Sequence, residues 1–577
     1  MNKSVYKDGY EELRAVRRQS RGLYWFTGVF SFFVNLLMLT GPLYMMQVYD
    51  RVLGSRSEAT LVALSLLVVF LYGMMGILDY ARGRIMARAG ARFQAALDKR
   101  VFDAMIRRSA VAQDPVAQTG LSDLEAQQRL ISSPVLTAGF DLPWTPVFLA
   151  GIALFHPWLG LLALAGGGVL IFVAVLNQLF TRTPMQKAQA TGHKAGLMSE
   201  EIRTEAEMIQ SMGMRGAAFN RWKSARHAAL QDSVAANDTG GGYTTLTKTL
   251  RLFLQSAMLG LGAYLVLQNE VTPGAMIAGS ILMGRALAPI ELALGQWALV
   301  QRALKGWHSL AELLSKVPEE KPRTALPKPK ALLEVTGLAV VPPGDSRPQL
   351  RNVSFRVQPG QAVGVIGPSG SGKSTLARAL TGAWRPAAGT VRLDGAALDQ
   401  YDPDVLGAHI GYLPQRVQVF EGTIAQNIAR LAGEPDPEKV VAAAKKAAAH
   451  EMILKLPEGY DTKVNAGGGR LSGGQMQRVG LARALYDDPV IVILDEPNSN
   501  LDNEGSIALN TAIKQIKAEG RSVLIMAHRP AAIQECDMLL VVDRGTQAAF
   551  GPKDKVLQEM VVNHQNIRQA SGAGGVR

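Results

Sequence analysis

Cysteine is almost absent from this chain of 577 residues, where Cys536 is the only one. An intrachain disulfide is therefore excluded, and a cysteine-based metal site is not expected. Cys536 stands just before the apolar run Met538–Val542, where a small buried residue is the expected role. Charge is missing in a more informative way. Gly22 to Tyr49 holds no charged residue, and neither does Ala59 to Leu78. Leu142 to Phe180 is free of formal charge for 39 residues, whereas a helix needs only about 20 to cross a bilayer. Zinc-finger spacing and a basic tail are both lacking, so the net charge of +13 does not point to nucleic acid. The arginines flank the apolar runs instead, which is the pattern of a protein in a lipid bilayer.

The runs give six spans. His156-Pro157-Trp158 divides the long one into two, with an aromatic turn at an interface. Leu252–Asn269 and Val271–Pro289 form the fifth and sixth, joined by a turn at Glu270. The first run is too long and wrongly flanked for a cleaved signal peptide. Arg14, Arg17, Arg18 and Arg21 precede span one, and residues 81–130 carry nine Lys/Arg, while the loop after span one carries only Arg51 and Arg56. Both termini and the two long loops are expected on the cytoplasmic side. Met86, Phe93, Leu97, Val101 and Met105 recur at near-helical spacing, so span two should continue as a helix beyond the membrane. Ser122-Asp123-Leu124-Glu125 has the form of a capping box and predicts a short helix that opens there and ends before Pro134. The second long loop, 181–245, predicts a helical stretch from Gly196 to Trp222. Val317–Lys330, with four prolines, reads as a semi-rigid linker. The resulting divisions are 1–21, an N-terminal segment; 22–316, a membrane domain; 317–330, the linker; and 331–577, where β-rich runs alternate with helices.

Chemistry concentrates in the last part. Gly367, Pro368, Ser369, Gly370, Ser371, Gly372, Lys373, Ser374 and Thr375 form a P-loop. Its glycines let backbone N–H groups curl around phosphate, Lys373 reaches the β/γ-phosphates, and Ser374 offers a hydroxyl to Mg2+. Leu471–Gln475 reads LSGGQ, and VIVILDE at Val490–Glu496 is an apolar strand ending in two carboxylates. A P-loop, LSGGQ and this strand in that order resemble the nucleotide-binding domain of ATP-binding-cassette (ABC) proteins, over residues from about 331 to 560. The resemblance implies an α-helical six-span membrane domain of the exporter type followed by an α/β P-loop domain that hydrolyses ATP. It implies Asp495 as a Mg2+ ligand, Glu496 as general base, and Gln415, in IGYLPQ, as a glutamine reaching the metal or the attacking water. Ser499-Asn500-Leu501-Asp502 resembles the D-loop, and His528 the switch histidine at the γ-phosphate. A lone histidine at a strand end is ordinarily structural; its place after the other motifs gives it the catalytic reading.

LSGGQ opens a helix, so Ser472, Gly473, Gly474 and Gln475 are expected to meet a γ-phosphate. In the family they act on the partner subunit's P-loop, which implies a homodimer with two shared sites. Two features depart from the family pattern. No Tyr or Phe lies near Pro342, in LAVVPPG, where an adenine-stacking aromatic is usual, and Ala466 stands where exporters often carry a glutamate before the signature.

A narrower resemblance runs through GPLYMMQVYDRVLGSRSEATL at Gly41–Leu61, FDLPWTPVF at Phe140–Phe148 and DEPNSNLDNEG at Asp495–Gly505. These stretches look like the ATPase subunits of type I secretion systems, especially those exporting proteases. That implies an inner-membrane homodimer working with a membrane-fusion protein and an outer-membrane channel to move an unfolded secreted polypeptide. The alternative on the same scaffold is a lipid or drug exporter. About 21 residues precede span one, so an N-terminal peptidase domain is not expected. Arg285 falls within span six, where a charge must face protein or a water-filled cavity.

Overall fold

A computed structural model describes residues 6–111, 114–320, 323–465, 471–499, 503–528 and 530–559. The chain divides between Glu319 and Glu320 into a helical unit and an α/β unit. Among the described residues six helices are long and apolar enough to cross a membrane: Arg21–Ser55, Glu58–Val111, Pro134–Phe155, Pro157–Thr204, Arg215–Leu267 and Pro273–Gly295. They are spans one to six. Leu66, Val69 and Phe70 on span two and Leu164 and Phe172 on span four are more than half exposed. Such a band suits hydrocarbon and would be costly in water. Spans four and five approach closely at Gly166, where an added Cβ would meet Leu254 Cδ2 at 2.7 Å.

Two boundaries differ from the sequence expectation, each because a charge finds a partner. Span one continues past Tyr49 through a π-helical turn, Val48–Val52. Its Asp50 carboxylate accepts from Thr272 Oγ1 at 2.7 Å and from Gly274 N at 2.8 Å, and so caps the start of span six. Span three begins at Pro134 rather than Leu142 and carries Asp141 inside its helical segment. That carboxylate accepts from Arg82 at 2.7 Å and from Asn35 Nδ2 at 2.6 Å.

Span two does continue as one helix to Val111. Met86, Phe93, Leu97 and Val101 are buried in a core with Leu124, Leu310 and Leu313, and Met105 packs against it. The expected capping box is not a helix start. The helix is Pro115–Ile131; Asp114 caps it by accepting from Val116 N at 3.0 Å, and Ser122, inside the helix, donates to Thr119 O. Proline at the first position and aspartate before it were the stronger signals. The stretch Gly196–Trp222 is helical but broken: span four ends at Thr204, a short helix occupies Ala206–Ser211, and Gly213 turns with φ of 67° before span five opens at Arg215. The N-terminal helix Lys7–Gln19 packs on the helix Trp297–Lys316, where Gly9 N donates to Ser315 Oγ at 2.9 Å.

The α/β unit contains strands β1 (Leu333–Val340), β2 (Leu350–Val357), β3 (Ala362–Ile366), β4 (Ala388–Leu393), β5 (Ala396–Ala397), β6 (Ile410–Leu413), β7 (Gly422–Thr423), β8 (Lys463–Val464), β9 (Ile491–Asp495), β10 (Ser522–Ala527), β11 (Met538–Asp543) and β12 (Thr546–Pro552). The large sheet has the order β5-β4-β1-β2-β12-β11-β3-β10-β9-β6. Within it β11, β3, β10, β9 and β6 are parallel, and β9 and β10 are buried along their whole length. Parallel pairing brings the carboxyl ends of β3, β6, β9 and β10 to one edge of the sheet, the edge at which open α/β sheets hold their ligands.

Candidate functional site

That edge gathers most of the residues singled out by sequence. The P-loop joins β3 to the helix Lys373–Leu380. Gly367 must be glycine, since a Cβ there would lie 2.1 Å from Val542 O. Gly372 takes φ of 106° and would also strike Leu350, so the turn into the helix requires it. Lys373 is 5% exposed, and its ammonium donates to Gly367 O and Pro368 O, both at 2.9 Å. The lysine thus clamps its own loop into a ring at the start of a helix, the geometry that suits a polyphosphate. Burial holds its pKa below that of a free lysine, against the opposing pull of Glu496 and Asp495. Pro368, Ser369 and Gly370 form the exposed lip, whereas Ser371 is buried and its hydroxyl has no partner. Thr375 Oγ1 donates to Gln349 Oε1 and anchors the helix to the loop before β2.

Asp495 closes β9 and is 2% exposed. Burial raises its pKa, the Ser374 hydroxyl bound to it works the other way, and Glu496 raises it further. Its Oδ1 has no protein partner. A buried carboxylate oxygen left open beside a serine hydroxyl fits a small divalent cation completed by phosphate oxygens and water, as Mg2+ prefers. Among the described residues no cluster of three His, Cys, Asp or Glu side chains forms a metal cage.

Glu496 follows with φ of 52°, a conformation a non-glycine residue rarely adopts. Its N–H donates to Met526 O at 3.0 Å, which ties the residue to β10. Gln415 Nε2, beyond β6, donates to Glu496 Oε2 at 3.1 Å, and His528 Nε2, beyond β10, lies 3.0 Å from Oε1. The carboxylate is thereby held from both sides, at three strand ends. The geometry is that of a positioned proton acceptor.

Ser472 to Gln475 behave differently. They open the helix Gly473–Leu485 with a true capping box: Gln475 N donates to Ser472 Oγ at 3.3 Å and Ser472 N donates to Gln475 Oε1 at 2.8 Å. Ser472 and Gly473 are exposed, and among the described residues no hydrogen bond joins this tetrad to the chain's own P-loop. Gln475 is thus first a capping residue. Two further contacts had no sequence signal: Gln477 Nε2 donates to Pro497 O at 3.2 Å, linking the signature helix to the segment after Glu496, and Gln349 holds Thr375. Pro342 is partly exposed in the loop after β1. Ala466 and the D-loop residues Asn500, Leu501 and Asp502 lie outside the described residues, while Ser499 N donates to Glu496 O at 3.2 Å.

In the helical unit Arg285 lines a cavity of about 370 Å³ together with Asp79, Arg82 and Asp141. Among the described residues no ion pair is formed by Arg285. Arg251 and Glu291 do pair, at 2.9 Å.

Comparison with known proteins gives a consistent picture. Residues 24–288 match the family described as the ABC transporter transmembrane region, and residues 350–499 the family described as ABC transporter. The type I secretion system ATP-binding protein PrsD of Rhizobium meliloti (strain 1021) is 44% identical over 556 residues, covering 96% of each chain. The leukotoxin translocation ATP-binding protein LktB of Mannheimia haemolytica is 28% identical over 93% of this chain and 77% of its own. Among solved structures, a bacterial Atm1-family ABC exporter with ATP bound superposes with a TM-score of 0.77 at 22% identity, over 95% of this chain and 98% of that one.

Proposed function

The chain belongs to the ABC transporter family, and from that premise we propose that it is the ATP-hydrolysing permease of a type I secretion system, exporting an unfolded polypeptide. The observation that carries this reading is the 44% identity, over 96% of both chains, to a type I secretion ATP-binding protein. The protein sits in a bacterial inner membrane with both termini cytoplasmic, in accord with the Lys/Arg distribution around the six spans. A periplasmic membrane-fusion protein and an outer-membrane channel complete the route.

The proposed chemistry follows from the sheet edge. Backbone N–H groups of the P-loop and Lys373 bind the ATP phosphates. Ser374 and Asp495, with Gln415, would hold Mg2+, which when bound neutralises charge on the β- and γ-phosphates. Glu496 takes a proton from the water as its oxygen attacks the γ-phosphorus and ADP leaves, and Gln415 and His528 keep the carboxylate aimed. Ser472 and Gly473, exposed at a helix start, and Gly474 behind them serve the γ-phosphate of a second copy. A homodimer therefore holds two composite sites, and their closing and reopening drives the spans.

The test is deletion of the gene and comparison of the culture medium. At least one polypeptide should vanish from the medium, return with the parent gene and stay absent with Glu496→Gln. An unchanged set of extracellular proteins contradicts the proposal.

A further inference from the structure

The phosphate end of the proposed ATP site has its residues, but the nucleoside end does not. Residues 341–349 read VPPGDSRPQ and hold no aromatic side chain to stack on a base. The order of the large sheet still tells where the nucleoside falls. On one side of β3 and its P-loop come β10, β9 and β6, whose ends carry His528, Asp495, Glu496 and Gln415. A triphosphate lying on the loop with its γ end there leaves its nucleoside on the opposite side, over β11, β12 and β2. β12 is parallel to β2 and antiparallel to β11, and β11 is parallel to β3, so β2 runs against β3 and starts at the edge where β3 ends. The residue just before β2 is Gln349.

Gln349 is fixed in that position. Its N–H donates to Val340 O at 2.9 Å and closes the 341–348 loop, and its carbonyl packs against Gly545, where a Cβ would strike it. A Cβ on Gly372, in the P-loop, would lie 3.4 Å from the same oxygen. The side chain is oriented as well. Oε1 accepts from Thr375 Oγ1, in the first turn of the P-loop helix, so the amide oxygen is committed to the helix and the NH₂ end is turned away from it. Nε2 has no partner among the described residues, and Gln349 is exposed. The first N–H groups of that helix are the ones a phosphate takes. Beyond the last phosphate of a nucleotide comes its ribose, and only then the base.

We propose that Gln349 binds the ribose of the nucleotide, its Nε2 donating to a ribose oxygen while Thr375 holds its Oε1. The glutamine grips the sugar on a loop that has no ring for the base. An amide whose oxygen is taken can only donate, and ribose oxygens accept whichever base they carry. The contact rests on the reading of this sheet edge as the phosphate site; loss of hydrolysis in Glu496→Gln tests that reading without involving Gln349.

The experiment uses the full chain in lipid nanodiscs and compares the parent with Gln349→Leu, which keeps the bulk of the side chain and loses both ends of the amide. ATP hydrolysis is inhibited competitively with ADP, GDP and CDP, and separately with inorganic tripolyphosphate, which has no nucleoside. One neutral hydrogen bond is worth about three- to tenfold in affinity. The variant should raise KM for ATP and the inhibition constants of all three diphosphates by that factor. Its kcat and its inhibition constant for tripolyphosphate should stay within about twofold of the parent's, which also shows that the P-loop is folded. A rise for tripolyphosphate equal to that for the nucleotides would mean that Gln349 only anchors the P-loop helix. A rise confined to one base would mean that the base is read, and no rise for any nucleotide would mean that the amide touches none. Each of these three results overturns the ribose contact.

Discussion

On the proposed mechanism, Glu496→Gln should separate binding from hydrolysis. The parent carboxylate is held by Gln415 at 3.1 Å and His528 at 3.0 Å. Glutamine has the same length and keeps one oxygen for Gln415. Its NH₂ then faces His528, whose Nε2 becomes an acceptor once the ring proton moves to Nδ1. The φ of 52° is no harder for glutamine than for glutamate, so the loop survives. What disappears is the proton acceptor, typically worth ~10²–10⁴-fold. At 1.36 kcal/mol per tenfold this is about 2.7–5.4 kcal/mol of barrier. Phosphate release at saturating ATP should fall by that factor, while titration with a fluorescent ATP analogue should show an affinity within about threefold of the parent, a difference under ~0.7 kcal/mol. Turnover close to the parent's would show that Glu496 is not the base. Loss of binding together with turnover would show that its role is structural.

Other expectations concern the same edge of the sheet. Mixing a Lys373→Ala chain with a Ser472→Arg chain leaves one intact composite site in each heterodimer, so ATP hydrolysis absent from either alone should reappear; its absence, with heterodimers shown to form, argues against shared sites. Burial lowers the Lys373 pKa below the ordinary 10.5, while bound phosphate favours the charged form. Below the lowered pKa binding takes up no proton; above it binding must, and ATP affinity should fall by up to about tenfold per pH unit. A titration series flat up to the ordinary lysine range contradicts this. Cys536, buried and shifted to about 12, should react with thiol reagents only after unfolding; rapid labelling of the native protein would place it at the surface.

Much of this was legible because each signal is local. Glycines at the P-loop answer to close approaches that any phosphate loop must make, and β9 reads as a continuous apolar run because both of its faces are buried. Charge-free runs located six spans, yet misplaced the start of span three and the end of span one. Asp141 and Asp50 are tolerated there because Arg82 and Asn35, and the start of span six, satisfy them through contacts distant in sequence. The box at Ser122 failed for the opposite reason: a valid local pattern was outranked by Asp114 and Pro115 only a turn or two earlier. Gln349 and Gln477 were invisible, since a single glutamine has no spacing to betray it and its partners come from other elements.

The most direct measurement is transport itself. Inverted membrane vesicles carrying the chain and its fusion protein are given a polypeptide that the gene deletion removes from the medium. With ATP, that polypeptide should become protected from added protease, and with Glu496→Gln vesicles it should remain fully digested. Protection that is independent of ATP, or equal in the two preparations, would contradict ATP-driven export of a polypeptide by this chain.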